Sequence, residues 1–177
     1  KERSHYYSLK NEYQSIEADE GNNQISTVQF DEINGERFNI NYVGKDGKKY
    51  PCLIIHCSTF GSIERALCSI LENAAIDEQE GKLPTLPLWL SPTQVRLIPV
   101  SIESHLSFAN KLADEFESKN IRVDIDDRVE TVSKRIRSAE EEWVPYTLVV
   151  GDKETSSNKL IVRERGVKEQ KELSKNL

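Results

Sequence analysis

Apolar residues along this chain either alternate with polar ones or form short continuous runs. Both patterns are typical of β-strands where β-branched and aromatic residues dominate and turn-forming residues stand at the ends. They predict strands at residues 25–30, 36–43, 52–57, 95–100, 121–126, 146–152 and 160–165. The run at 52–57, CLIIHC, is apolar enough to predict a buried strand.

Other stretches carry apolar residues at helical spacing. After Gly61 these are residues 63, 66, 67, 70, 71 and 74, and Ser62 stands where an N-cap residue is expected. Similar spacing predicts helices at residues 104–118 and 130–143. The charged residues after Val167 predict a terminal helix.

The order of these elements indicates the fold class. Strands and helices alternate in the second half, which implies right-handed crossovers and a mainly parallel sheet, while the short turn before 160–165 allows an antiparallel pair. Residues 77–87, DEQEGKLPTLP, combine acidic residues with glycine and proline and predict a boundary. We therefore expect an α/β protein with domains at 1–76 and 87–177, joined by a linker at 77–86.

Composition narrows the class of protein. The 177 residues are 37% apolar and include no apolar run long enough to cross a bilayer, and the first residues do not resemble a secretory signal. Cys52, Cys57 and Cys68 form no CxxC pair, so we expect reduced and mostly buried thiols in a cytoplasmic protein. The common nucleotide, hydrolase and zinc-protease signatures are absent from the sequence.

Net charge does not by itself favour a polyanionic partner. The total is −6, but residues 87–177 hold 15 Lys and Arg against 16 Asp and Glu. A nucleic acid can therefore bind the second half only if its cations gather on one face.

Arg65 is a candidate for anion binding in the first half. It falls in the first turn of the predicted helix, next to the free backbone N–H groups at Gly61 and Ser62, where the helix dipole also attracts an anion. A solvated pair of Glu64 and Arg65 is the alternative. His56 is either a metal ligand or an ordinary core histidine, because a zinc site needs three or four converging ligands.

In the second half, the strand KLIVRER places mostly cationic side chains on one face. Alternation groups Lys159, Ile161, Arg163 and Arg165. Further charged candidates are Arg128, Lys134, Arg135, Arg137 and Glu154. Cations mixed with an acid suit a single-stranded RNA loop better than a duplex. A solvated sheet edge protected by charges is the alternative.

Several motifs in order then identify a family. The segment LPLWLSPTQVRLIPVS, followed by IRVDIDDR, KRIR, WVPYTLVVGDKE and VRERG, strongly resembles the anticodon-binding domain of archaeal-type threonyl-tRNA synthetases. Upstream, QISTVQFD, GERFNINYV and IIHCSTFGSIER resemble the last part of the catalytic domain of that family, including class II motif 3.

The resemblance implies a fold and a set of roles. It implies an antiparallel catalytic sheet followed by a mixed α/β anticodon domain, with threonine activated by ATP and transferred to threonine tRNA. Arg65, with Ser62 beside it, matches a contact to ATP phosphate, and Gln24 and Thr27 match positions near the adenylate. His56 matches one of three ligands of the zinc that recognises threonine.

For RNA, the resemblance implies base reading by Glu154 and Arg163. Arg128, Lys134, Arg137 and Arg165 are further candidates for RNA binding from their charge. Trp143 and Val129 depart from the bacterial pattern, which has arginine and asparagine at these positions, and this puts part of the contact set in question.

The resemblance also predicts what this chain does not do alone. Nothing in it resembles motifs 1 and 2 or the other two zinc ligands, so we expect tRNA binding without aminoacylation, and a monomer or weak dimer in place of the family's homodimer. The missing residues are alternatively encoded upstream of Lys1. Two further alternatives are a synthetase-derived editing companion and an accessory protein that docks other proteins; neither a membrane nor DNA is an expected partner.

Overall fold

A computed structural model describes residues 5–175 of the chain. The chain forms two compact units, Lys1–Ile76 and Asp77–Leu177. Each unit is described by itself.

The first unit contains a three-stranded antiparallel sheet in the order β1-β2-β5. Its strands are β1 (Tyr7–Ile16), β2 (Asn22–Asp31) and β5 (Ile54–Ser58). Between β2 and β5 lie α1 (Asn34–Arg37) and a hairpin of β3 (Asn41–Val43) and β4 (Lys49–Pro51); α2 (Ile63–Gln79) follows β5. The predicted helix after Gly61 is therefore confirmed.

Two local predictions for this unit are wrong. Residues 36–43 do not form one strand, because the buried carboxylate of Asp31 accepts hydrogen bonds from the backbone N–H groups of Ile33 and Asn34 and starts α1 there. The sequence pattern also missed β1, whose ten residues are mostly polar and exposed and pair with β2 over nearly their whole length.

The prediction of a buried β5 is also wrong. Ile55 is 57% exposed and Cys57 is exposed, while Cys52 and Cys68 are half-buried. An apolar run marks a strand but does not show whether both of its faces are covered. The expectation of mostly buried thiols therefore fails with it.

The second unit contains a five-stranded mixed sheet in the order β10-β9-β8-β6-β7. The strands are β6 (Val95–Pro99), β7 (Val123–Ile125), β8 (Tyr146–Val150), β9 (Lys159–Glu164) and β10 (Lys171–Ser174). Strand β6 is parallel to β7 and β8, whereas β9 is antiparallel to β8 and β10. The α/β class and the mixed sheet are confirmed.

Helices cover the second sheet, and two of them begin and end within two residues of the predicted bounds 104–118 and 130–143. Helix α3 (Ile102–Glu117) supplies Ala109, Leu112 and Phe116 to a core with the buried residues of β6, β8 and β9. The side chains of Ser101 and Thr131 cap α3 and α4 (Val132–Glu141) by accepting backbone N–H groups. A short helix, α5 (Asp152–Ser156), lies where the sequence predicted a turn.

The predicted terminal helix is wrong, because residues Lys171–Ser174 form β10. This strand pairs antiparallel with β9, with Leu173 opposite Leu160. A charged tetrapeptide has no strong preference of its own, so the free backbone groups of β9 decide its conformation. As a result β9 lies between β8 and β10 in the sheet order. The pairing with β10 covers Lys159–Val162 and stops before Arg163, so a solvated sheet edge stays an alternative for the end of KLIVRER.

Candidate functional site

A cavity of the second unit lies between α4 and β9, and we call it the α4–β9 cleft. Its volume is about 790 Å³, within the range of about 300–1,000 Å³ that ligand sites occupy. Its lining includes four cations, four carboxylates, an indole and an amide: Arg137, Arg163, Arg165, Lys168, Glu78, Glu140, Glu141, Glu164, Trp143 and Gln170.

Arg163 is the exposed cation of this cleft that β9 positions directly. Strand alternation buries its neighbours Leu160 and Val162 in the core, as the sequence predicts, and turns Arg163 to the opposite face, next to Thr147 of β8. When the amide oxygen of Gln170 faces it, that oxygen accepts from Nη2 of Arg163 at 2.7 Å.

The charge of Arg163 is not neutralised by a neighbour. Within residues 5–175 it forms no salt bridge, since every ion pair found there involves other cations. An amide oxygen binds a guanidinium without cancelling its charge. Arg163 therefore keeps a full positive charge to offer to an RNA base or phosphate.

Arg165 is held more firmly than Arg163. Its Nε donates to the carbonyl of Pro84 at 3.0 Å, its Nη1 donates to the carbonyl of Glu140, and its guanidinium lies 5.7 Å from the ring centre of Trp143. Burial lowers the pKa of Arg165, partly opposed by Glu140. Arg165 thus links residues 84, 140 and 143 at the wall of the cleft.

Three further predicted RNA-binding residues are paired with carboxylates. Arg128 binds Asp126, Lys134 binds Glu130, and Arg137 binds Glu141. The last two are exposed pairs four residues apart, and exposed ion pairs are in general worth about 0.2–1 kcal/mol. A phosphate can therefore compete for Lys134 and Arg137 at small cost.

Glu154 and Arg135 lie inside the unit. Glu154 is 8% exposed, and its Oε2 accepts from the backbone N–H of Gly151 at 3.1 Å, which caps α5. Arg135 is 2% exposed and donates to the carbonyls of Asp126 and Pro99. On helix α4, Arg135 therefore has a structural role inside the unit, whereas Arg137 is exposed and can meet a ligand.

In the first unit, three of the predicted residues come together at the start of α2. The Oγ of Ser62 accepts from the N–H of Arg65 at 3.3 Å, and Nη1 of Arg65 donates to the carbonyl of Gln24 at 3.0 Å. Gly61 turns the chain with φ +70°, a conformation that favours glycine. A helix start and a guanidinium stand together here, and the carboxylate of Glu64 accepts from its own backbone N–H and from Ser62, which lowers the pKa of Glu64.

Thr27 and His56 lie apart from that group, on the paired strands β2 and β5. Thr27 is 7% exposed and opposes Ser58. Nε2 of His56 lies 2.8 Å from Oδ2 of Asp31, a fully buried carboxylate that sequence reasoning missed, because a single aspartate at a strand end carries no distinctive signal.

The zinc role of His56 finds no support in the geometry. Over the described part of the chain, no three His, Cys, Asp or Glu side chains gather in a way that would hold a metal ion. A tetrahedral zinc site needs three or four such ligands. His56 as a zinc ligand stays a prediction, and no chemical step is derived from the metal.

Comparison with known proteins shows which proteins this chain resembles. Residues 94–176 match the family model described as an anticodon binding domain. The threonine–tRNA ligase of Methanobrevibacter smithii is 50% identical over 169 residues, which cover 94% of this chain and 28% of the ligase.

Solved structures of tRNA synthetases also resemble this chain. The RNA binding domain of threonyl-tRNA synthetase from Cryptosporidium parvum Iowa II matches with a TM-score of 0.77 and 28% identity, covering 97% of this chain and 42% of that one. A prolyl-tRNA synthetase from Giardia lamblia matches with a TM-score of 0.76 over 96% of this chain and 36% of its own. At 20% identity the second likeness shows the fold alone.

The second unit is thus an anticodon-binding domain of the aminoacyl-tRNA synthetase type. The chain is homologous to part of the threonine–tRNA ligases, as its sequence motifs predicted. It spans about a quarter of the length of the relatives it matches, 28% for the M. smithii ligase. None of the helices within residues 5–175 is long and apolar enough to cross a membrane.

Proposed function

We propose that this chain recognises threonine tRNA through its anticodon-binding unit, as part of a threonine–tRNA ligase that acts in the cytoplasm. The observation that carries the proposal is the position of Arg163. It is an exposed cation on β9, without a carboxylate partner in the described residues, and it lines the α4–β9 cleft of a unit that matches anticodon-binding domains.

The chemistry of the α4–β9 cleft supports RNA as the ligand. A guanidinium can donate to base acceptors or to phosphate oxygens, and an amide side chain can both donate and accept. The unpaired bases of an RNA loop expose such edges, whereas the deep major groove of an RNA duplex does not admit side chains. The cleft therefore suits a loop.

We further propose that the start of α2 contributes to ATP binding in the whole ligase. Ser62 and Arg65 present a capped helix start and a guanidinium, which together favour phosphate. ATP would supply the activated phosphate at which an amino acid carboxylate reacts. The role of this chain in that reaction is to hold negative charge at Arg65.

A binding titration tests the tRNA proposal. The 177-residue chain is titrated against labelled threonine tRNA and against a tRNA of another specificity. We expect preferential binding of threonine tRNA, weakened by Arg163→Ala and retained by Lys111→Ala, which removes the same charge from an exposed position on α3.

One result of this titration would contradict the tRNA proposal. Equal affinity for both tRNAs, together with no loss in the Arg163→Ala variant, would remove the basis for this function. Circular dichroism of both variants ensures that a change in affinity does not reflect unfolding.

A further inference from the structure

Trp143 ends helix α4 in a conformation that a tryptophan seldom adopts. Its φ is +58°, and the backbone N–H groups of Trp143 and Val144 donate to the carbonyls of Glu140 and Ala139. These two bonds define a Schellman motif, in which the left-handed position is usually glycine or asparagine. A bulky residue at positive φ is strained, so its side chain needs a compensating role.

The indole stands where a ligand in the α4–β9 cleft can reach it. Trp143 is half-buried and lines both that cleft and a smaller pocket beside Leu88 and Tyr146. The guanidinium of Arg165 lies 5.7 Å from the ring centre and is itself anchored to two backbone carbonyls. The ring is therefore held in place by contacts that do not depend on a ligand.

The neighbours of Trp143 identify the chemistry that fits. The cleft also contains Arg163, a cation without a carboxylate partner among residues 5–175, and Gln170, an amide. An acidic peptide would need the cation but has no use for a flat aromatic surface. An unpaired nucleobase uses all three, since it stacks on aromatic rings, accepts hydrogen bonds from guanidinium and pairs its edge with an amide.

We infer that Trp143 is a stacking platform for one unpaired base of the RNA loop that enters the α4–β9 cleft. The inference rests on the proposed tRNA-binding function and names the residue that grips the loop. It explains why the helix end tolerates a strained aromatic residue where glycine would relieve the strain. Trp143 supplies affinity, and Arg163 and Gln170 contact the edge of the base.

The test uses the full chain and an RNA hairpin that carries the anticodon loop of threonine tRNA. Its loop nucleotides are replaced by abasic sites one at a time, and affinity is measured by fluorescence anisotropy of the labelled RNA. We expect Trp143→Leu, which keeps apolar bulk without an aromatic face, to bind about 5- to 150-fold more weakly. Trp143→Phe should lose less.

The abasic series shows which base is stacked. At one loop position the abasic change should weaken binding to the wild-type chain and have little further effect on Trp143→Leu, because both changes remove the same contact. Equal affinity of Trp143→Leu and the wild type, or additive losses at every loop position, would overturn the inference.

Two further measurements test whether a binding loss reflects unfolding and whether the ligand is RNA or an acidic polymer. Trp143→Gly suits φ +58°, so it is expected to fold, and its binding loss should match that of Trp143→Leu if stacking is responsible. In a Trp89→Phe background, Trp143 is the single tryptophan and its fluorescence should be quenched by the RNA hairpin. Quenching by polyglutamate, and none by RNA, would also overturn the inference.

Failure of stacking and failure of tRNA recognition give different results. Absence of hairpin binding by the wild-type chain contradicts the proposed function itself. Hairpin binding that is lost with Arg163→Ala but unchanged by every Trp143 variant contradicts the stacking inference alone.

Discussion

The carboxylate of Asp126 accepts two parallel hydrogen bonds from the guanidinium of Arg128, Nε to Oδ1 at 2.9 Å and Nη2 to Oδ2 at 2.7 Å. Asp126 is 4% exposed, directly after β7, while Arg128 reaches the surface. A bidentate pair fixes a guanidinium in one geometry. The guanidinium of Arg128 is therefore engaged by a carboxylate of its own unit, whereas that of Arg163 is not.

This pair makes the free energy of unfolding depend on pH. The hydrogen bond from Arg128 lowers the pKa of the Asp126 carboxyl, partly opposed by burial. Because the folded pKa lies below the unfolded value of about 4, the stabilisation is present above that value and is lost as the pH falls through the folded pKa. Urea denaturation should show Asp126→Asn less stable than wild type near neutral pH, with a gap that narrows on acidification.

The control for this measurement is Asp127→Asn, which removes the same charge from the exposed neighbouring position. It should leave the unfolding free energy nearly unchanged at both pH values. A gap between Asp126→Asn and wild type that stays constant on acidification would contradict the assignment.

Salt dependence should distinguish Arg163 from Arg128. A cation that contacts phosphate releases counterions, so removing it lowers the slope of log affinity against log salt by about one. We expect a lower slope for Arg163→Ala, because its uncompensated charge faces the polyanion beside the base that it contacts, and a smaller change for Arg128→Ala, whose charge Asp126 already compensates. Titrations of threonine tRNA at several salt concentrations measure it; equal slopes for both variants would contradict the distinction.

Gly61 should tolerate substitution less well than Gly47. Both have positive φ, +70° and +79°, so alanine at either position pays the left-handed strain of about 1–2 kcal/mol. At Gly61 a Cβ would also lie 2.9 Å from the carbonyl oxygen of Ile25, whereas nothing lies within 4 Å at Gly47. Thermal unfolding should show the larger loss for Gly61→Ala, and equal losses would show that the close contact relaxes freely.

Asp31 should be more important for stability than an exposed aspartate with similar bonds. It is fully buried and accepts from the backbone of Ile33, from the backbone and amide of Asn34, and from His56. Asp31→Ala removes all of these hydrogen bonds at once and leaves a space where the buried carboxylate stood, which is costly.

The matched variant is Asp46→Ala, in the β3–β4 turn, where Asp46 accepts from Lys48 and Tyr50 in exposed surroundings. The melting temperature should fall by several degrees for Asp31→Ala and little for Asp46→Ala. Similar small shifts in both would contradict the organising role of Asp31.

Much of the secondary structure could be predicted from local pattern. The apolar spacing after Gly61 predicts α2, and the alternation in KLIVRER predicts which side of β9 is buried. Each of these features depends on one helix or strand alone. The backbone geometry of that element fixes how often its side chains return to the same face. The likeness to threonine–tRNA ligases follows from the same local motifs.

The errors occur where a distant part of the chain decides the conformation. Residues Lys171–Ser174 are a strand because β9 offers free backbone groups, and α1 starts where Asp31 caps it. The predicted site shows the same limit. Arg128 and Arg163 look alike in the sequence, but a buried carboxylate pairs with the first, whereas the second forms no ion pair within residues 5–175 and is met by the amide of Gln170.

The sequence by itself therefore determined most of the elements, the α/β class and the likeness to threonine–tRNA ligases, because local periodicity and motifs carry that information. Only the tertiary structure decided which cations remain available, how His56 is engaged and where Trp143 stands. The physical reason is that charge compensation and burial depend on residues far apart in the chain. Their juxtaposition is set by strand pairing and helix packing and cannot be read from any one segment.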